Sequence, residues 1–201
     1  MNAINFYNSG YIIDSIPEEL FAKIKEEISI CRKNNTFKTG LTGVGVSQQH
    51  RLPNAKEYLK DYLNFLVQNY ANNFGYMSTI DVLNYPKPLV PMTPWVNIQK
   101  RYEYLPIHIH TGVLSYTIWI DIPYNIDDEI QEYKNSTTSC FQFLYHDTVG
   151  NNWFKTIPVS KDYVGKIMLF PSSLPHIVYP FYSIDAERIS VSGNLIFDVN
   201  E

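Results

Sequence analysis

The sequence predicts a mainly β protein, an antiparallel sandwich or jelly roll, with flanking helices ahead of the strands. Three observations carry this. From Met77 onward the segments are short, rich in Val, Ile, Tyr, Phe and Trp, and broken by Pro, Gly and Asn at turn positions. Two stretches before Met77 instead space their apolar residues three and four apart, the signature of one helical face. The later half shows many short strands with turn signals rather than strands alternating with helices, which argues against βαβ units.

Taken in order, Tyr11 to Ile13 read as a short strand. Asp14 or Ser15, then Pro17 with Glu18 and Glu19, mark a helix start. That helix runs from Pro17 to about Lys33, with Leu20, Ile24, Ile28 and Cys31 on one face, and stops at Asn34 and Asn35. Residues 35–54, rich in Gly and polar side chains, read as a loop. A second helix spans Lys56 to about Asn73, its face built from Leu59, Tyr62, Leu63, Leu66 and Tyr70 and widened by Tyr58 and Phe65. The expected strands are Trp95 to Arg101, Val113 to Ile122, Ser139 to Tyr145, Trp153 to Ile157, Lys166 to Phe170, His176 to Tyr179 and Arg188 to Phe197. The acidic stretch from Asn125 to Lys134 reads as an exposed loop between strands. With no repeat or linker, residues 1–201 are expected to form one domain: helical support over about 1–76 and a β core over about 77–199.

Composition narrows the function classes. Of 201 residues, 45% are hydrophobic and 15% aromatic against 18% charged, too apolar for a disordered chain. Lys+Arg 16 against Asp+Glu 20 leaves a net charge of −4, so there is no basic field for phosphate backbones and nucleic acid is not an expected partner. Cys31 and Cys140 form neither a disulfide framework nor a zinc knuckle, which suits a reducing cytoplasm. No cationic start leads into an apolar run, and no apolar stretch approaches the roughly 20 residues that span a bilayer. A cytoplasmic protein without membrane partners is expected.

The polar residues of the strands are more specific. In RISVSGNLIF, Arg188, Ser190, Ser192 and Asn194 share one face while Ile189, Val191, Gly193 and Leu195 share the other. Such a strand either faces solvent or lines the mouth of a barrel, where Arg188 would receive an anion with Ser190 beside it. WVNIQKR repeats the pattern with Trp95, Asn97, Gln99 and Arg101. Shortly after comes PIHIHTG, whose His108 and His110 project to the same side of an extended chain, about 6–7 Å apart, close enough to be drawn around one metal ion. His176 offers a third imidazole. A single strand histidine is ordinarily a hydrogen-bonded structural residue, and His50 and His146 are read so. Imidazole suits iron, zinc, copper and nickel alike, so residue type alone does not name the metal.

In its second half the chain resembles the Fe(II)/2-oxoglutarate-dependent oxygenase superfamily, specifically its small phage and marine bacterial members. The matching pattern is Trp95 and Asn97; His108, His110, Gly112, Leu114 and Ser115; Gly165, Phe170, Pro171, Ser172 and His176; then Arg188, Ile189 and Ser190. The resemblance covers about Trp95 to Phe197. It implies a double-stranded β-helix, cupin-like, holding Fe(II) at one end with open positions for 2-oxoglutarate and molecular oxygen. By that mapping His108 and His176 are ligands, and Arg188 with Ser190 holds the far carboxylate of 2-oxoglutarate. Asn97, Gln99 and Asn194 become contacts to the cosubstrate or to the ligands. Arg188→Glu is then expected to raise the 2-oxoglutarate requirement while sparing the fold.

The common triad is H-x-D/E…H, and here His110 stands at the carboxylate position. Three arrangements are open. His110 is the third ligand; or the register shifts so that Gly112 leaves a vacancy as in the related halogenases; or a distant carboxylate, Glu103, Asp121 or Asp147, completes the site. The implied activity is a hydroxylation coupled to decarboxylation of 2-oxoglutarate to succinate. Prolyl or other peptide substrates are favoured by the resemblance, and small molecules and modified nucleobases stay open. Two alternatives from other classes are a cupin-like three-His metal enzyme that does not use 2-oxoglutarate, and a non-catalytic phage β-sandwich with structural histidines. A phage-encoded chain would work in the host cytoplasm.

Overall fold

The computed structural model describes residues 9–34, 38–39, 46, 48–80, 87–133 and 137–198, with only the backbone at 38–39 and 131–133. In chain order the elements are β1 (Ile12–Ser15), α1 (Glu18–Lys33), β2 (Lys38–Thr39), β3 (Gln48–Arg51), α2 (Ala55–Tyr58), α3 (Lys60–Asn73), β4 (Leu89–Pro91), β5 (Trp95–Lys100), β6 (Leu105–His108) and β7 (Leu114–Asp121), followed by α4 (Ile126–Tyr133), β8 (Phe141–His146), β9 (Asn152–Ile157), β10 (Lys166–Pro171), β11 (His176–Val178) and β12 (Glu187–Phe197). They form two sheets. The larger runs β1-β10-β7-β12-β5-β3-β2, with β4 also on β12; the smaller runs β6-β11-β8-β9. Every pairing is antiparallel.

The two-residue period of the strands decides what each face meets. On the larger sheet Val96 and Ile98 of β5, Ile118 and Ile120 of β7, Ile167 and Leu169 of β10, and Val191 and Leu195 of β12 pack with Ile24 and Ile28 of α1 and Leu63, Leu66 and Tyr70 of α3. The alternate residues Trp119, Met168 and Phe170 pack instead with Phe141, Phe143 and Ile157 of the smaller sheet. Helices therefore cover one face and the second sheet covers the other, each buried aliphatic or aromatic side chain contributing about 1.5–3 kcal/mol. The residues left over on the inner face are the polar ones.

Several expectations are corrected. Pro17 is the N-cap of α1, and Asp14 accepts from the Ser15 N–H and from the Tyr62 hydroxyl, stapling β1 to α3. The second helix is divided by a turn at Leu59 into α2 and α3, and Phe65 lies outside its buried face, 53% exposed. The loop expected over 35–54 contains β2 and β3, although residues 35–37, 40–45 and 47 lie outside the described ones. Gln48 to Arg51 has no apolar alternation; it is a strand because it pairs with β5, a tertiary cause that no local pattern carries. The acidic stretch after Asn125 is the helix α4, with Lys134 outside the described residues. Its Glu129 is fully buried and accepts the backbone N–H groups of Tyr182 and Ser183, bracing the connection from β11 to β12. Cys31 and Cys140 are both buried and not joined in a disulfide, and no helix among the described residues is long and apolar enough to cross a membrane.

Candidate active site

The smaller sheet brings the histidines together. β6 and β11 pair so that His108 and His176 stand directly opposite one another, and His110 follows two residues past His108, held by its N–H to Ser172 O at 2.8 Å. The ligand atoms of His108, His110 and His176 lie within 4.8 Å of one another. Among the described residues no carboxylate joins this group. His108 Nδ1 is 2.6 Å from Pro106 O and His176 Nδ1 is 2.9 Å from Leu174 O, so each ring places its N–H there and keeps its Nε2 lone pair available. Burial holds His176 down to about 3 and His110 to about 4, with neighbouring His108 adding to both. Imidazoles whose Nδ1–H is fixed on a carbonyl are ready-made metal donors through Nε2, and the set of three fits a divalent first-row ion such as Fe(II).

These rings border a cavity of about 1000 Å³ between the sheets. Its inner wall carries the polar rows read from the strands: Asn97 and Gln99 of β5, and Arg188, Ser190, Ser192 and Asn194 of β12. The barrel-lining alternative, not the solvent-facing one, holds for this face. Arg101 does not line the cavity. In register, Arg188 opposes Gln99, Ser190 opposes Asn97, and Ser192 opposes Trp95.

Arg188 is 4% exposed and all five of its N–H groups are engaged. Nη1 donates to Tyr124 Oη (2.6 Å) and Ser139 O (3.0 Å), Nη2 to Tyr179 O (2.7 Å) and Gln99 Oε1 (2.7 Å), and Nε to the same Gln99 oxygen (3.2 Å). Every partner is uncharged. Of those side chains only Gln99 lines the cavity, and its single oxygen occupies the Nε/Nη2 edge, the edge that grips a carboxylate bidentately. Ser139 presents its carbonyl from a left-handed backbone, φ 64°, uncommon for a residue with a side chain. Charge reversal at Arg188 is therefore expected to disturb the fold and not to spare it, because a buried glutamate there would forfeit these five bonds and face the carbonyl oxygens of Ser139 and Tyr179.

A second network supports the histidine end. Asn194 Oδ1 can only accept, so Ser115 Oγ donates to it (2.9 Å) and Ser172 Oγ in turn donates to Ser115 (2.8 Å). This chain ties β12 and β7 to the segment after β10, which also holds His110. Gly112 sits against it with φ 118°, and a Cβ there would meet Leu195 O at 2.9 Å. Backbone geometry thus requires this glycine. Asp147 accepts from the N–H groups of Val149 and Asn151 and from the Asn151 and Trp153 side chains, closing the β8–β9 turn. Glu103 accepts from Lys100 N, and Asp121 is exposed.

Sequence reasoning did not reach Gln49 and Arg51 and read His50 as structural, yet all three border the cavity from β3; nor did it reach the hold that Tyr124 and Tyr179 have on Arg188. Gln49 Nε2 donates to Asn97 Oδ1 at 2.6 Å, and the Arg51 guanidinium lies 5.2 Å from the Trp95 ring, itself 5.7 Å from His110. His146 is exposed at the end of β8. Among the aromatic side chains, Tyr116, Trp119 and Phe141 border the cavity while packing in the core, and Tyr102, Tyr104, Tyr145 and Trp153 are exposed.

Comparison with known proteins places this geometry. Residues 93–194 match the family described as Putative 2OG-Fe(II) oxygenase. No curated protein matches the chain. Among solved structures, a prolyl-4-hydroxylase from Pseudomonas putida aligns at TM-score 0.60 and 15% identity, covering 94% of each chain. A prolyl hydroxylase from Trichoplax adhaerens, solved with a hypoxia inducible factor peptide fragment, aligns at 0.59 and 14%, covering 96% of this chain and 85% of that one. The α-ketoglutarate-dependent carbocyclase SnoK of nogalamycin biosynthesis aligns at 0.62 and 10%, covering 94% and 80%. The shared fold is the double-stranded β-helix.

Proposed function

This chain belongs to the 2OG-Fe(II) oxygenase family, with Fe(II) as cofactor and 2-oxoglutarate as cosubstrate, and from that premise we propose that it hydroxylates a C–H bond of a substrate held beside its histidine cluster. When bound, iron and 2-oxoglutarate supply oxygen activation coupled to loss of carbon dioxide and release of succinate. His108, His110 and His176 are the ligands in this proposal. Arg188 receives the far carboxylate of 2-oxoglutarate, which displaces Gln99 Oε1 from the Nε/Nη2 edge, with Ser190 beside it. Asn97 and Asn194 orient the bound groups, and the packed aromatic side chains exclude water. Residues 1–201 act as one oxygenase domain.

The convergence of three inward imidazoles with no carboxylate among them carries the assignment. It supports His110, rather than a glycine vacancy or a distant carboxylate, as the third ligand in this proposal. The two prolyl hydroxylases sharing the fold favour a peptide substrate, prolyl first. The test is anaerobic addition of Fe(II) and then 2-oxoglutarate, watching for the visible charge-transfer band of the chelated cosubstrate. A band present in the native chain and lost in His108→Ala and His176→Ala is expected. Metal retention with no response to 2-oxoglutarate would overturn it and favour a three-His enzyme of another type, a reading that the carboxylate-free donor set also suits.

A further inference from the structure

The cavity has a second cationic feature that the cosubstrate cannot reach. β5 runs along the cavity wall with Gln99 opposite Arg188 and Trp95 opposite Arg51. Four residues of strand separate these stations, about 13 Å at roughly 3.3 Å per residue. A five-carbon dicarboxylate held by Arg188 spans only about 5 Å between its carboxyl carbons, at ~1.5 Å per bond. Arg51 is therefore out of its range. It lies on the histidine side, over Trp95, whose ring is next to His110. One of its N–H groups is fixed on Thr93 O at 2.9 Å, which aims the rest of an exposed guanidinium.

Charge points the same way. Among the described residues that border the cavity none is Asp or Glu, in a chain whose net charge is −4. Three imidazole ligands contribute no negative charge to the metal, where the common triad contributes one. Two positive charges on iron and one on Arg188 then face two negative charges on 2-oxoglutarate. One positive charge is left in the cavity, and Arg51 adds a second at its open end. An anionic substrate group meets both.

The geometry points to a substrate bearing a carboxylate, which Arg51 receives against the face of Trp95 while a nearby C–H bond is presented at the histidine end. This deepens the oxygenase assignment and rests on it for the place of 2-oxoglutarate. The test uses the full chain loaded with Mn(II) and saturating 2-oxoglutarate, without oxygen. Binding of 3-phenylpropionate and N-acetylproline is measured calorimetrically, each against its neutral amide. The acids are expected to bind roughly tenfold tighter, the worth of one charge-assisted pair. Arg51→Gln should erase that preference while leaving the 2-oxoglutarate affinity unchanged, and Arg51→Lys should keep part of it. Equal binding of acid and amide, or a preference that survives Arg51→Gln, would overturn the proposal. Repeating the comparison on metal-free protein separates the two ideas. If 2-oxoglutarate fails to bind the native chain, the oxygenase assignment falls, whereas an acid preference lost with Arg51 still stands.

Discussion

His108 and His176 face each other across the antiparallel pair of β6 and β11, ring centroids 4.2 Å apart, each with Nδ1 tied to a carbonyl two residues before it in the chain. The relationship is set by main-chain register and by those two carbonyls, which leave each Nε2 lone pair available to a metal. His110 is placed by a separate bond to Ser172 O.

The first prediction follows from that separation. His108→Ala and His176→Ala should each weaken Fe(II) binding by more than about 100-fold, beyond the 10–100-fold typical of losing a ligand's supporting partner. His110→Ala should do the same if it is a ligand, and His110→Asp should retain metal. Metal titration decides it: His110→Ala binding as tightly as the native chain would remove His110 from the ligand set.

Gln99 gives a second prediction. Its oxygen sits on the Arg188 edge that a cosubstrate carboxylate needs. Gln99→Glu should neutralise Arg188 and raise the Kd for 2-oxoglutarate at least tenfold, with thermal stability unchanged or raised. Metal affinity, measured on the same variant, should not move.

The metal-free protein should lose stability in mild acid. Burial keeps His110 down to about 4 and His176 to about 3 from an ordinary 6.5. Between pH 6.5 and those values the unfolded chain binds more protons than the folded one, so stability is full above pH 6.5 and falls as pH drops through this window. By pH 5 the loss should amount to a few kcal/mol, roughly 5–10 °C in Tm. Thermal melts across the range check it, and His176→Asn should flatten the curve.

Gly112→Ala tests the backbone behind the site. A side chain at φ 118° with Leu195 O only 2.9 Å from the new Cβ should cost about 1–3 kcal/mol. His110 sits two residues earlier, so metal affinity should fall too. A variant with native Tm and native metal binding would show that the position does not constrain the site.

Much of the molecule was legible because its causes are local. The two-residue alternation of RISVSGNLIF puts Arg188, Ser190 and Asn194 on one face, that of WVNIQKR does the same for Asn97 and Gln99, and HIH puts two imidazoles on the same side. The spacing of Ile24 and Ile28, and of Leu59, Leu63 and Leu66, fixed which helical faces are buried. Those patterns need only backbone geometry and the avoidance of buried unpaired polar groups.

Tertiary structure decided the rest. Gln48 to Arg51 is a strand only because β5 offers an edge, and that pairing delivers Arg51 to Trp95. Glu129 looks like a solvated acid in sequence, yet it is buried because two backbone N–H groups from another segment meet its carboxylate. Whether the polar face of β12 met water or a cavity depended on a second sheet closing over it, and whether His176 joined His108 depended on the register of β11 against β6. Local pattern fixes which side chains share a face; what that face encloses is set by pairings between residues far apart in the chain, whose energies no short stretch of sequence contains.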